Sequence, residues 1–115
     1  MALHLRTSEA LHLMHDVAFD IVHEGLHDFS MRQLAILFTI YLDPPPHTVR
    51  ALAAKLKVTK PVITRALDTM GSLGLLDRKR DTDDLRNVVI QRTAKGALFV
   101  EHFGEVMVAR GKALS

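Results

Sequence analysis

The chain reads ALAAKLKVTKPVITRALDTMGSLGLLDRKRDTDDLRNVVIQRT over residues 51–93, and this stretch changes its hydrophobic pattern half-way. The first half repeats apolar side chains at intervals of three and four residues, which is typical of amphipathic helices. The second half has two short apolar runs on either side of the polar loop Asp81–Arg86, which indicates a pair of strands. A tight turn at Lys57-Val58 divides the helical half. The stretch therefore predicts a helix-turn-helix followed by a β-hairpin.

The second helix of this pair, predicted over residues 60–73, has one face suited to a DNA groove. Its inward face would hold Ile63, Ala66, Leu67 and Met70, and its outward face Lys60, Pro61, Thr64, Arg65 and Asp68. A lysine can meet a phosphate, a threonine hydroxyl can bond a phosphate or a base edge, and an arginine can bond guanine in two places. We expect Thr59 to cap the helix and include it among the predicted DNA-binding residues. A plain amphipathic helix with a solvated face would show the same pattern, so this helix alone leaves both interpretations open.

Further helices are predicted on both sides of this stretch. Ser30 and Gln33 form a capping box before a nearly all-apolar segment, which we expect to be the buried central helix. The expected elements are, in chain order, helices over 8–27 and Met31–Leu42, a short helix capped by Thr48, the helix over 60–73, strands over Leu75–Arg80 and Asn87–Thr93, and a helix over 94–113 capped by Thr93. The predicted fold class is mainly α with a small β-hairpin, in one domain of residues 1–115.

Charge is distributed unevenly along the chain. Residues 44–95 contain eleven of the fifteen Lys and Arg residues against five Asp, whereas the flanking segments are acidic or balanced. A basic middle section indicates a polyanionic partner for that section alone. The sequence has no cysteine, which excludes disulfides, thiolate metal sites and cysteine catalysis. The longest apolar run, Leu34–Ile40, is too short to span a membrane, and we expect a cytoplasmic protein.

The hairpin carries the most specific motifs in the sequence. Gly74-Leu75 leads into the basic run Arg78-Lys79-Arg80, Asp84-Leu85-Arg86 follows in the loop, and the run Val88-Val89-Ile90 closes at Thr93. With the helices before it, this stretch resembles the winged helix-turn-helix of the MarR family of bacterial transcription regulators. The resemblance continues, with fewer motifs, over about residues 30–108.

The resemblance implies a fold, a function and a set of DNA contacts. A DNA-binding lobe over residues 30–93 would be flanked by N- and C-terminal dimerisation helices. The chain would be a repressor of transcription rather than an enzyme, with no cofactor, and would bind double-stranded DNA. The helix over 60–73 would enter the major groove, and the wing over 81–87 would reach the minor groove through Arg86, held in place by Asp84. Phosphate contacts would come from Arg78, Lys79, Arg80 and Arg92.

Assembly and regulation are further expectations. Family members usually dimerise through one N-terminal and two C-terminal helices, and this sequence shows one C-terminal helix. The first helix has an apolar stripe of Leu11, Met14, Ala18, Ile21 and Val22, opposite a polar side with Asp16 and Asp20. The first and last helices carry more apolar surface than one small domain needs, and we therefore expect a homodimer on an inverted-repeat operator. The side chains that carry this expectation are Val17, Ile21 and Val22 of the first helix and Phe99, Val100, Phe103, Val106 and Met107 of the last. The alternative is that these helices only close the core of a monomer. The family often binds small aromatic effectors, and a winged helix can also serve as a protein-interaction module.

The stretch HEGLH, residues 23–27, matches the H-E-x-x-H signature of zinc peptidases. On a helix, His23 and His27 would lie one turn apart and Glu24 would activate a bound water. No third ligand follows at a known spacing, and histidines are common in this chain, so we interpret the match as accidental. A weaker alternative is a metal-responsive regulator that uses His12, His15, His23 and His27 of the first helix.

Overall fold

A computed structural model describes residues 4–114 of the chain. The elements in chain order are α1 (Thr7–His23), α2 (Met31–Leu42), β1 (His47–Thr48), α3 (Val49–Leu56), α4 (Lys60–Ser72), β2 (Leu76–Arg80), β3 (Val88–Arg92) and α5 (Ala94–Lys112). This arrangement of helices with a small antiparallel sheet confirms the predicted fold class. Among the described residues, no helix is long and apolar enough to cross a membrane.

The chain divides into two compact units. The winged lobe comprises Phe29–Val100, and the terminal unit comprises the described parts of Met1–Asp28 and Glu101–Ser115. Helix α5 therefore begins in the winged lobe and continues in the terminal unit. The single domain predicted over residues 1–115 stays a prediction, and residues 1–3 and 115 lie outside the described residues.

The core of the winged lobe is built around α2, as its apolar sequence predicts. Ile36, Leu37 and Ile40 have no solvent exposure, and they pack with buried side chains of α3, α4 and the sheet. The capping box is confirmed, because the Gln33 backbone N–H donates to Ser30 Oγ at 3.1 Å and the Ser30 N–H donates to Gln33 Oε1 at 2.8 Å. The start of the central helix is thus fixed by its own sequence.

Three local features form the helix-turn-helix: the cap at Thr48, the left-handed conformation of Lys57 and the packing of Val58. Thr48 Oγ1 accepts the Ala51 N–H at 3.0 Å and so caps α3. Lys57 adopts the left-handed conformation, with φ of 56°, where glycine or asparagine is more usual. Val58 then packs against the core of the lobe. Across this turn, α3 and α4 pack against each other.

The sheet has one strand more than the sequence predicted. Strands β2 and β3 form the expected hairpin, with Arg78 opposite Ile90. The two residues of β1 add to the other edge of β3, with His47 opposite Ile90, so that the strand order is β1-β3-β2. A two-residue strand that directly follows three prolines has no periodicity to reveal it.

The predicted end of the first helix was wrong. Helix α1 ends at His23, whereas its pattern was extended to residue 27. Glu24 is the C-cap, and Gly25 takes a positive φ of 72°, a backbone conformation that terminates helices and favours glycine. His27 therefore lies outside the helix, and the one-turn spacing that the zinc hypothesis needs does not exist.

The predicted polar side of α1 was wrong at Asp20. Asp20, placed on the polar side, is half-buried against α5, where its carboxylate accepts two hydrogen bonds from Arg110 at 2.7 and 2.6 Å. Leu11 and Val22 of the apolar stripe are about two-thirds exposed, whereas Val17 and Val106, which were expected on the dimer surface, are buried within one chain. Within a single chain the terminal unit thus turns an apolar surface of α1 towards solvent.

Candidate nucleic-acid interface

Helix α4 separates its apolar and polar side chains as the sequence predicts. The inward residues Ile63, Ala66, Leu67 and Met70 are all buried in the core of the winged lobe. The outward residues Lys60, Pro61, Thr64, Arg65 and Asp68 are all exposed. The Arg65 Nε donates to the Pro61 carbonyl at 3.3 Å, which lays the guanidinium along the first turn of the helix. The exposed face is a single polar surface with two cations near its N-terminus.

Thr59 occupies the N-cap position of α4, as predicted, but its side chain makes no capping hydrogen bond. Pro61 stands in the first turn, where the missing N–H costs nothing because that group has no partner within the helix. Threonine at this place therefore does not stabilise the helix through its hydroxyl in the way the sequence suggested. The backbone N–H groups of the first turn point out of the same end of the helix.

The tip of the wing is fixed by hydrogen bonds from several directions. Asp84 Oδ1 accepts the Arg86 backbone N–H at 3.1 Å and the Arg86 Nε at 3.2 Å, so Asp84 holds Arg86 as predicted. Arg80 Nη1 donates to the Leu85 carbonyl at 2.6 Å, and the Asn87 N–H donates to the Asp84 carbonyl at 2.9 Å. The Arg86 side chain remains 87% exposed, so the hydrogen-bonded loop presents it to solvent.

Electrostatics at the wing favour the ionised form of Asp84. The hydrogen bond from the Arg86 side chain lowers the pKa of Asp84, with smaller contributions from the Arg86 backbone N–H and the charge of Arg50 on α3. Arg50 is exposed and was not among the predicted site residues. Its place two residues after the Thr48 cap, on the polar side of α3, was the signal that could have identified it.

The basic strand β2 does not present its cations uniformly. Lys79 is exposed, whereas Arg78 Nη1 lies 2.7 Å from Asp68 Oδ1 of α4. The Arg80 guanidinium is bound to the carbonyl of Leu85 in the wing. The sequence treated these residues as equivalent phosphate contacts, but each has a different place in the lobe.

Arg92 has a structural position that the sequence did not reveal. Its Nε donates to the Ile40 carbonyl at 2.7 Å, and its Nη2 donates to the Asp43 carbonyl at 2.8 Å. The guanidinium carbon also lies 5.8 Å from the centre of the Tyr41 ring. Because the last carbonyls of a helix have no partner within it, Arg92 satisfies the C-terminal end of α2. This placement supports a role in the fold and does not support the predicted phosphate contact.

The HEGLH stretch takes part in packing of the terminal unit. Glu24 Oε2 lies 2.6 Å from His102 Nε2 of α5, so its carboxylate has a partner other than a metal-bound water. The ring of Phe19 stacks between His15 and His23, with centroid distances of 6.1 and 5.9 Å. Within residues 4–114, no group of three or more His, Cys, Asp or Glu side chains could hold a metal ion.

A helix-turn-helix with an exposed polar second helix, followed by a hairpin with an ordered arginine at its tip, defines a winged helix protein of the DNA-binding class. Solved structures share this fold. The chain is similar to a MepR variant from S. aureus, with a TM-score of 0.75 at 19% identity, over 96% of this chain and 83% of that chain. It is similar to the transcriptional regulator BldR from Sulfolobus solfataricus, with a TM-score of 0.62 at 27% identity, over 92% and 81% of the two chains.

A third similar structure is the transcriptional repressor CouR bound to a 23-mer DNA duplex, with a TM-score of 0.71 at 19% identity, over 90% of this chain and 70% of that chain. The family model of the MarR family matches residues 29–88, which cover most of the winged lobe. No curated protein matches the sequence. The chain belongs to the MarR family, whose members are winged-helix DNA-binding regulators and not enzymes.

Proposed function

We propose that the chain is a homodimeric transcription regulator that binds an inverted repeat in double-stranded DNA and represses the adjacent promoter. The observation that carries this proposal is the pairing, in one lobe, of the exposed polar face of α4 with a hydrogen-bonded wing that presents Arg86. The similarity to DNA-bound CouR, described as a transcriptional repressor, supports the direction of regulation.

In this proposal α4 enters the major groove. An α-helix fits this groove, and each base pair presents a distinct pattern of donors and acceptors there. Arg65 is the base-reading residue, because its guanidinium can bond guanine at two atoms. Thr59, Lys60, Pro61 and Thr64 contribute contacts to the backbone or base edges from the first turns of the helix.

The wing follows the DNA backbone into the adjacent minor groove. A narrow minor groove concentrates negative potential, and an exposed arginine is the side chain that most often occupies it. Asp84 contributes by holding Arg86 through two hydrogen bonds, which reduces the conformational freedom lost on binding. Lys79, exposed on β2, supplies a phosphate contact.

The homodimer follows from apolar surface that one chain leaves uncovered. In the terminal unit, α1 exposes Leu11, Met14 and Val22, and α5 exposes Met107 and Val108. A contiguous patch of exposed apolar side chains often marks an interaction surface, and these residues on two helices of one unit support such a patch. A second copy of the chain supplies the same surface about a twofold axis, and two lobes then meet half-sites about one helical turn apart.

The test is selection from a random duplex pool at several salt concentrations, with sequencing of the retained DNA. A steep salt dependence with an enriched inverted repeat is the expected result. Salt-dependent binding without enrichment would indicate a non-specific DNA-binding protein. No binding at low salt would contradict the proposal and favour a protein-interaction module.

Light scattering tests the dimer separately. The double substitution Leu11→Glu and Val22→Glu places charges on the exposed surface of α1, and we expect a monomer that no longer retains the inverted repeat. Leu42→Glu on α2 is the matched control, because Leu42 is equally exposed but belongs to the winged lobe. A dimer that survives the double substitution would show that this surface is not the interface.

A further inference from the structure

Arg78 is turned towards the recognition helix rather than away from it. Residues alternate between the two faces of a strand, so Arg78 shares its face of β2 with Leu76, which is buried. Only 33% of the Arg78 side chain is exposed, and its Nη1 lies 2.7 Å from Asp68 Oδ1. Neighbouring Lys79 lies on the opposite face of the strand.

Gly71 of α4 lies beside the Arg78 guanidinium. A β-carbon added at Gly71 would lie 3.9 Å from Arg78 Nη2, which is ordinary van der Waals contact. The guanidinium thus lies over α4 between Asp68 and Gly71, two positions on one side of the helix. The ion pair therefore joins β2 to the middle of the recognition helix.

Asp68 lies on the exposed face of α4, on the side that carries Thr64 and Arg65 one turn earlier. A carboxylate without a partner at this place would repel DNA phosphates. Arg78 neutralises that charge, and the pair as a whole carries no net charge with which to displace counterions from DNA. The geometry therefore makes Arg78 a partner of Asp68 and not a phosphate contact.

We propose that the Asp68–Arg78 ion pair fixes the recognition helix against the wing strand, so that Arg78 is a positioning residue and the pair sets the discrimination between operator and other DNA. The inference rests on the proposed function, because it concerns how α4 is presented to the major groove. Exposed ion pairs contribute little to stability, so the effect appears in selectivity and not in folding.

The experiment compares the wild type with Asp68→Asn, Arg78→Gln and the double variant, which retains the net charge of the wild type. Each protein is titrated with the selected operator and with a random duplex of equal length at several salt concentrations. Selectivity is the ratio of the two Kd values. Lys79→Ala is the matched control, one residue along the same strand and on its other face.

We expect each single variant to lose roughly two- to fivefold in selectivity, and the double variant to lose no more than the worse single, because both substitutions remove one interaction. The salt slope of the charge-conserving double variant stays that of the wild type. Lys79→Ala weakens both DNAs alike and lowers the salt slope by about 0.9, as loss of one phosphate contact does.

The opposite pattern overturns the proposal. If Asp68→Asn binds both DNAs more tightly with unchanged selectivity, Asp68 is only a repelling charge. If Arg78→Gln behaves as Lys79→Ala does, Arg78 is a phosphate contact. If the wild type shows no salt-dependent DNA binding, the proposed function and this inference are both refuted. If the wild type binds selectively and the variants keep the same selectivity, the inference alone is refuted.

Folding of each variant is checked by circular dichroism and thermal unfolding before titration. Should Arg78→Gln fail to fold, Arg78→Lys carries the same test, because lysine keeps the cation but loses the forked geometry of the guanidinium. We then expect Arg78→Lys to be less selective than the wild type. An Arg78→Lys variant as selective as the wild type would contradict the inference.

Discussion

The hydroxyl of Tyr41 occupies the place where a β-carbon at residue 96 would stand, so Tyr41 and Gly96 together exclude any side chain at this point of α5. The same hydroxyl donates to the Leu75 carbonyl at 2.7 Å and accepts the Thr93 N–H at 3.0 Å. It thereby joins α2 to both ends of the β-hairpin. Close approach of α5 to this junction is what requires glycine there.

Gly96→Ala should destabilise the protein by about 2–3 kcal/mol, because the added methyl group meets the Tyr41 ring and the Leu75 backbone in a buried site. Urea unfolding at fixed protein concentration measures the change. Gly104→Ala, in the same helix, is the control, since a β-carbon there has nothing within 4 Å. We expect it to be neutral or to stabilise by up to about 1 kcal/mol. Equal effects at the two glycines would contradict the close approach.

Tyr41→Phe should cost about 1–3 kcal/mol, because it leaves the Thr93 N–H and the Leu75 carbonyl without their partner in a half-buried site. The same unfolding assay measures this. Thr39→Val is the comparison, since the Thr39 hydroxyl bonds only to the Ala35 carbonyl within its own helix, where that carbonyl already has a backbone partner. A cost for Tyr41→Phe no larger than for Thr39→Val would show that the junction depends on the ring alone.

The winged lobe could be predicted well because its signals are local. Caps at Ser30 and Thr48, alternation in the hairpin and the Asp84–Arg86 spacing each involve residues close in sequence, and the structure has all of them. The terminal unit could be predicted less well. The sequence left open whether the apolar stripe with Leu11 and Val22 faces the core or a second chain, because a periodicity shows which residues share a face and not what covers that face.

Long-range contacts explain the other differences. Arg92 looks like any basic residue at the end of a strand, and only the fold reveals that the C-terminal carbonyls of α2 lie within reach of its guanidinium. Arg78 is equivalent to Lys79 in sequence and distinct in structure, because strand alternation turns one towards α4. The end of α1 is a different case: Gly25 was visible, but helical propensity alone does not show that it adopts a positive φ.

Arg65→Ala should cost roughly 1–3 kcal/mol of binding free energy on the operator and relax base preference at one position. The reason is that a bidentate contact to guanine is lost while backbone contacts remain. Selection from a random pool, repeated with the variant, shows the change in preference directly. Equal weakening on all sequences would mean that Arg65 contacts phosphate.

Arg86→Ala should weaken binding most where the flanks of the operator are A·T-rich, since such flanks have the narrow minor groove that attracts arginine. Asp84→Ala should act in the same direction with a smaller effect, because Arg86 stays but loses its two hydrogen bonds to that carboxylate. Titration of operators with A·T-rich and G·C-rich flanks measures the difference. Asp83→Ala in the same loop is the control, and it should show no dependence on the flanks. A flank-independent loss in Arg86→Ala would exclude insertion of this side chain.

The Asp20–Arg110 pair should make part of the stability of the protein dependent on acid pH. The hydrogen bond from Arg110 lowers the pKa of Asp20 in the folded protein, so the stabilisation is present above the ordinary carboxyl pKa of the unfolded chain. It is lost as pH falls through the lower, folded-state pKa. Unfolding midpoints of the wild type should therefore fall more steeply below about pH 4 than those of Asp20→Asn. Arg110→Gln should flatten the profile in the same way, because it removes the same pair. A profile for either variant that runs parallel to the wild type would show that the pair contributes nothing to acid sensitivity.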